Sequence, residues 1–186
     1  MDVNVVFLGD SLIEDWEPAI WKTRIEPLGA VNLGVSGEGT AQLRWRIERG
    51  DLDSYAPKVI VLMIGINNFW PGYSAEDTAL GIEAIVAALR EKQPQAKVLL
   101  LGLVPVFDRY HKARDWIKAV NARIARIRGV HFLDLSDRFL EADGSLRAGF
   151  YHVDQVHWQP AAYRMLADHI EPLIREWLGG EAALNR

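Results

Sequence analysis

Five apolar runs of four to six residues constrain this chain more tightly than any other feature. They are Val3–Leu8, Ala30–Leu33, Val59–Ile64, Val98–Leu103 and Val130–Leu133. Several are apolar at both alternating faces, so each such strand must be covered on two sides, as parallel strands between helical layers are. Amphipathic stretches separate them, which is the βαβ pattern. Ile82, Ile85, Val86 and Leu89 form one helical stripe, with Ser74 and Asp77 placed as its capping box. Ile117, Val120, Ile124 and Ile127 form a second. A third runs through Tyr163, Leu166, Ala167, Ile170, Ile174 and Trp177, with Pro160 in its first turn and Pro172 expected to kink or interrupt it. The expected fold is a three-layer α/β/α sandwich, flavodoxin-like, with a parallel sheet of about five strands. One domain accounts for all 186 residues.

Composition narrows the function classes. Hydrophobic residues are 49% and charged residues 25%, ordinary globular usage that excludes a disordered chain. A formal charge of −4 gives no electrostatic basis for nucleic-acid binding. The chain has no cysteine, which excludes disulfides, thiolate catalysis and cysteine metal sites. No apolar run approaches the roughly 18 residues that span a bilayer. The strand-like start lacks a basic n-region, and a cytoplasmic location is the expectation.

In parallel sheets, ligands bind beyond the carboxyl ends of the strands. Three polar, glycine-rich loops fall there: Gly9-Asp10-Ser11-Leu12, Gly34-Val35-Ser36-Gly37-Glu38-Gly39 and Gly65-Ile66-Asn67-Asn68. Ser11, just past a strand, is placed to act as a nucleophile if a base removes its proton, although such a serine is also a common helix cap. Asp154-Gln155-Val156-His157 offers that base: a spacing of three lets the aspartate fold back and orient its own histidine. A surface histidine beside an unrelated carboxylate has the same spacing. Three loop groups, His152, Asp154 and His157, could also be metal ligands, but they lack a fourth partner. Gly37 can bring its N–H close to a developing oxyanion, Asn67 can donate its amide, and the Ser11 N–H would complete the hole. Each is equally an ordinary loop residue taken singly.

Taken together and in this order, the four segments resemble blocks I, II, III and V of the SGNH/GDSL hydrolases. The resemblance implies Ser11, His157 and Asp154 as the triad, an oxyanion hole from Ser11, Gly37 and Asn67, and a small-molecule ester as substrate, with neither metal nor organic cofactor. Residues 32–40, Trp45-Arg46, 48–52, 57–61, 81–86 and 93–97 are similar to the catalytic subunits of intracellular platelet-activating-factor acetylhydrolase. That likeness implies an acyl pocket of Leu12, Ile66 and Val156, narrowed by Ile66 where the branch has a smaller residue, and suggests a homodimer. Trp158 stands where that branch has leucine. The expected reaction is hydrolysis of short acyl esters; longer-chain thioesters or lysophospholipids, sugar O-acetyl esters and a non-catalytic binding module are the competing readings. Asp10 is assigned to orienting its own loop through backbone hydrogen bonds, and Asn68 to supporting Asn67. Phe69, Trp70 and Tyr73 form either a cleft wall or a packed loop. Asp108, Arg109, Tyr110 and His111 could reach the cleft mouth.

Overall fold

The computed structural model describes residues 3–108 and 111–179. Five strands form one wholly parallel sheet: β1 (Val5–Gly9), β2 (Ala30–Asn32), β3 (Val59–Met63), β4 (Lys97–Leu101) and β5 (His131–Leu133), in the order β2-β1-β3-β4-β5. Every residue of β1 and β3 is buried, as strands apolar on both faces require. The order is the flavodoxin-like one, and its direction of winding reverses between β1 and β3, which opens a crevice at their carboxyl ends.

Helices fill both faces. Between β1 and β2 lie α1 (Ser11–Glu14) and α2 (Pro18–Ile20), the latter running on as a π-helical stretch, Trp21–Ile25. The remaining helices are α3 (Thr40–Glu48), α4 (Ala75–Lys92), α5 (His111–Ile124) and α6 (Pro160–Gly179). α4 packs between α3 and α5, while α6 packs with α2 and the π-helical stretch on the other side. Right-handed crossovers require this division: the chain steps one way from β1 to β2 and the other way thereafter.

Ser74 caps α4 by accepting from Asp77 N at 3.0 Å, and its hydroxyl donates to the Asp77 carboxylate at 2.6 Å. The Asp77 side chain thus serves the cap hydroxyl. The second stripe ends at Ile124, and Ile127 follows in a turn. Pro172 does not interrupt the last helix, which is continuous from Pro160 to Gly179. Tyr163, Leu166, Ala167, Ile170 and Ile174 are buried along one face, so packing holds the helix on both sides of the missing N–H.

Candidate active site

Strand register sets the site. Gly9, the last residue of β1, pairs with Met63, the last of β3, so the segments bearing Ser11 and Asn67 leave the sheet side by side. A Cβ on Gly9 would sit 2.3 Å from the Met63 carbonyl and 2.5 Å from the Ile13 side chain, so this turn closes only with glycine. Asp10 then caps α1, its Oδ1 accepting from Leu12 N at 3.0 Å. Capping therefore falls to Asp10, and Ser11, the first helical residue, keeps its hydroxyl for another partner. That partner is His157: Ser11 Oγ lies 3.0 Å from its Nε2.

On the other side of the ring, His157 Nδ1 is 2.7 Å from Asp154 Oδ2. A carboxylate there makes Nδ1 the protonated nitrogen and leaves the Nε2 lone pair for the serine hydroxyl. The other oxygen, Asp154 Oδ1, accepts from Val156 N and His157 N, each at 3.0 Å. Partial burial works against the charged form of Asp154, but these backbone bonds and the His157 ring outweigh it and hold the carboxyl below the usual range. The next residue anchors the loop. Trp158 is buried, packed on Phe139 (5.0 Å between ring centroids) and Tyr163 (5.3 Å). Tyr163 also donates to the Leu12 carbonyl at 3.2 Å, joining α6 to the serine turn.

Gly37 has φ +78°, which disfavours any side chain, and a Cβ there would meet no atom within 4 Å. Its exposed backbone faces open space. Asn67 donates through Nδ2 to the Glu38 carbonyl at 3.0 Å, which fixes the orientation of its amide and leaves one N–H. Asn68 is buried and braces the same loop, accepting from Thr40 N at 3.0 Å and donating to Thr40 Oγ1 at 2.9 Å. A cavity of about 360 Å³ adjoins Gly37 and Asn67 and is walled by Gln42, Pro71 and Tyr73. Leu12 and Ile66 are 3% exposed, and Val156 is half-buried.

Two supports of the Gly37 loop were not picked out from the sequence. Glu38 is buried and grips Arg46 with both oxygens, at 2.8 and 2.9 Å, while Arg46 also donates to Asp51 at 2.5 Å and to the Leu33 carbonyl at 2.9 Å. Glu14 accepts from Ser36 N at 2.8 Å and from the Ser36 hydroxyl. Glu38 and Asp51, eight before and five after Arg46, fit no regular helical period, so nothing local marked the trio as one network.

Asp10 is 1% exposed, and its Oδ2 is buried without a hydrogen-bond partner. Burial pushes its carboxyl up to about 7, against the lowering effects of the Leu12 N–H and of His157. It bonds its own turn and no ring nitrogen of His157. His152 turns Nδ1 toward Gln159, at 3.0 Å, away from the Asp154–His157 pair. Phe69 is half-buried between Trp70 and Trp116, whereas Trp70 and Tyr73 are half exposed. Asp108 accepts from Leu146 N at 2.7 Å, and His111 is exposed at the start of α5. Arg109 and Tyr110 lie outside the described residues. Among the described residues, no helix is long and apolar enough to cross a membrane.

Comparison with known proteins identifies the family. Residues 7–165 match the GDSL-like Lipase/Acylhydrolase family. Over 148 residues, 77% of this chain, it is 40% identical to the alpha1 subunit of human platelet-activating factor acetylhydrolase IB, of which the match spans 63%. The chicken (Gallus gallus) alpha2 subunit is 35% identical over 182 residues, 94% of this chain and 77% of its own. Among solved structures, an acetylxylan esterase from Geobacillus stearothermophilus superposes with a TM-score of 0.73 at 20% identity, covering 95% of this chain and 98% of its own. The strand-end serine, the histidine that follows the sheet and the family match over most of the length agree: this chain belongs to the GDSL-like lipase/acylhydrolase family.

Proposed function

We propose that the chain hydrolyses short-chain carboxylic esters, chiefly acetyl esters, through an acyl-enzyme on Ser11. The observation that carries this reading is the relay from Ser11 Oγ to His157 Nε2 (3.0 Å) and from His157 Nδ1 to Asp154 Oδ2 (2.7 Å). A serine hydroxyl is a weak nucleophile until a base within hydrogen-bond reach takes its proton as it attacks. His157 takes that proton, and Asp154 holds the ring and balances the imidazolium that forms. The carbonyl oxygen becomes an oxyanion, stabilised by the Ser11 and Gly37 N–H groups and the free N–H of Asn67. His157 returns the proton to the leaving alcohol as the tetrahedral intermediate collapses. A water molecule then repeats the sequence on the acyl-serine, releasing the acid and restoring Ser11.

The limit on acyl length follows from burial. Leu12 and Ile66 flank the serine turn at the ends of β1 and β3 and are 3% exposed, so little free apolar surface is left for a long chain. Two of the similar proteins carry acetyl esters in their names, platelet-activating factor acetylhydrolase and acetylxylan esterase. The test is kcat/KM for p-nitrophenyl acetate, butyrate and octanoate on the native chain and on Ser11→Ala. Acetate is expected to lead and Ser11→Ala to lose nearly all turnover. A preference for octanoate would overturn the acyl assignment, and undiminished turnover by Ser11→Ala would overturn the covalent route.

A further inference from the structure

Only two non-glycine residues among those described have φ in the left-handed region, Phe107 at 52° and Gln155 at 58°. Bulky side chains avoid that region because the Cβ crowds the following carbonyl oxygen, so each must be held there by its surroundings. The two hold each other. Phe107 N donates to the Gln155 carbonyl at 3.2 Å, and Asp108 N donates to Gln155 Oε1 at 3.0 Å. They come from separate parts of the chain, one after β4 and one between Asp154 and His157.

Each side of this clamp is anchored further. Arg114 donates through Nε to the Phe107 carbonyl at 3.2 Å, and Tyr151 donates to the Pro105 carbonyl at 2.6 Å. Gln155 N donates to the His152 carbonyl at 2.9 Å, and His152 N donates to the His157 carbonyl at 2.9 Å. The turn at Gln155 folds the chain so that Asp154 can reach Val156 N, His157 N and the His157 ring together. Asp154 and His157 are both substantially exposed, so contacts within their own loop do not fully fix it.

We infer that Gln155 is a positioning residue, holding the Asp154–His157 loop against the Phe107–Asp108 turn so that the imidazole stays within reach of Ser11. The inference rests on the triad reading given above. Trp70 packs edge-on against Phe107, 5.5 Å between ring centroids, so the same turn also braces the Phe69–Trp70 aromatic pair.

The test compares the native chain with Gln155→Leu, which removes the Oε1 acceptor, and Gln155→Glu, which keeps it. Gln155→Gly removes the acceptor and relaxes the left-handed backbone, so it supplies a folded variant should the leucine protein prove unstable. For p-nitrophenyl acetate, the leucine and glycine variants are expected to lose roughly 10- to 100-fold in kcat, the scale of a small misplacement of a reacting group, with KM within about twofold. The glutamate variant is expected to recover most of that rate. The downfield proton resonance of the His157 Nδ1–H is expected to broaden or shift in the leucine and glycine variants and to return in the glutamate one. A glycine variant that melts no lower than the native chain yet turns over slowly separates positioning from stability. If leucine and glycine variants keep both native kcat and the native resonance, the inference is overturned. Ser11→Ala, assayed alongside, distinguishes this from failure of the triad reading, which would leave Ser11→Ala active.

Discussion

Replacing Asp10 by asparagine tests the electrostatics beneath the serine turn. In the folded chain the Asp10 carboxyl is fully buried and titrates at about 7, against an ordinary 3.8. A carboxyl whose proton affinity rises on folding stabilises the native state fully below pH 3.8, and that contribution is lost as pH climbs through about 7. Each pH unit between these values is worth about 1.4 kcal/mol, so the whole effect is on the order of 4 kcal/mol. Asparagine keeps the oxygen that accepts from Leu12 N but puts an amide where Oδ2 has no partner, a pH-independent cost of about 1–3 kcal/mol. The stability difference at one pH therefore mixes two effects, while its slope isolates the first. The charged groups acting on Asp10 are His157 and Glu38, and both remain in the variant. Urea unfolding at intervals from pH 4 to pH 8 reads the slope. Between pH 5 and 6.5 the native chain is expected to lose about 2 kcal/mol relative to Asp10→Asn, roughly 1 M in the difference of urea midpoints. A difference that stays flat over that interval would refute the idea that Asp10 folds as the protonated acid.

Three other substitutions follow from the same geometry. Asn67→Ala removes the side-chain donor to the oxyanion and is expected to lower kcat by about 10²–10³ with a smaller change in KM, read by steady-state hydrolysis of p-nitrophenyl acetate. Arg46→Met strands Glu38, which is 8% exposed and otherwise paired through both oxygens; loss of about 3–5 kcal/mol is expected in the urea midpoint, together with slower turnover as the Gly37 loop loosens. Ile66→Ala enlarges the proposed acyl pocket and is expected to raise the octanoate-to-acetate ratio of kcat/KM at least roughly tenfold. Removing that 3%-exposed side chain should also cost about 2–5 kcal/mol of stability.

The sheet could be read from the sequence because its physics is local. A run such as Val59–Ile64 can be buried on both faces only between two layers, and a polar, glycine-rich loop can follow it only at a sheet edge. All five strands lie within two residues of where their apolar runs put them. Pro172 does not interrupt its helix because its effect is local, a missing N–H and a ring clash, whereas the buried stripe from Tyr163 to Ile174 runs past it and outweighs it. Supports that join distant segments left no such trace. Gln155 and Phe107 are separated by α5, β5 and a short 3-10 helix, and neither residue type advertises a left-handed backbone. Nothing local tied Arg46 to Glu38 and Asp51, because these partners come from the loops on either side of its helix.

The choice between Asp10 and Asp154 shows what environment adds to residue type. Both are aspartates within a few residues of a reactive group: Asp10 adjoins Ser11, while the spacing of three from His157 assigns Asp154 to the triad. A triad acid has to be charged at neutral pH, with its charge aimed at the far ring nitrogen of the histidine. Asp154 meets both conditions: two backbone donors and the His157 ring hold it ionised, 2.7 Å from Nδ1. Asp10 is poorly suited to both, since burial raises it to about 7, leaving it only partly charged at neutral pH, and its one bonded oxygen is occupied by Leu12 N. Exchanging the roles would require Asp10 to hold a full charge beside Glu38 with one oxygen unpartnered, the arrangement its buried site disfavours most. The same side chain is thus pushed in opposite directions in its two settings, the division expected if Asp10 serves as the cap and Asp154 as the orienting carboxylate.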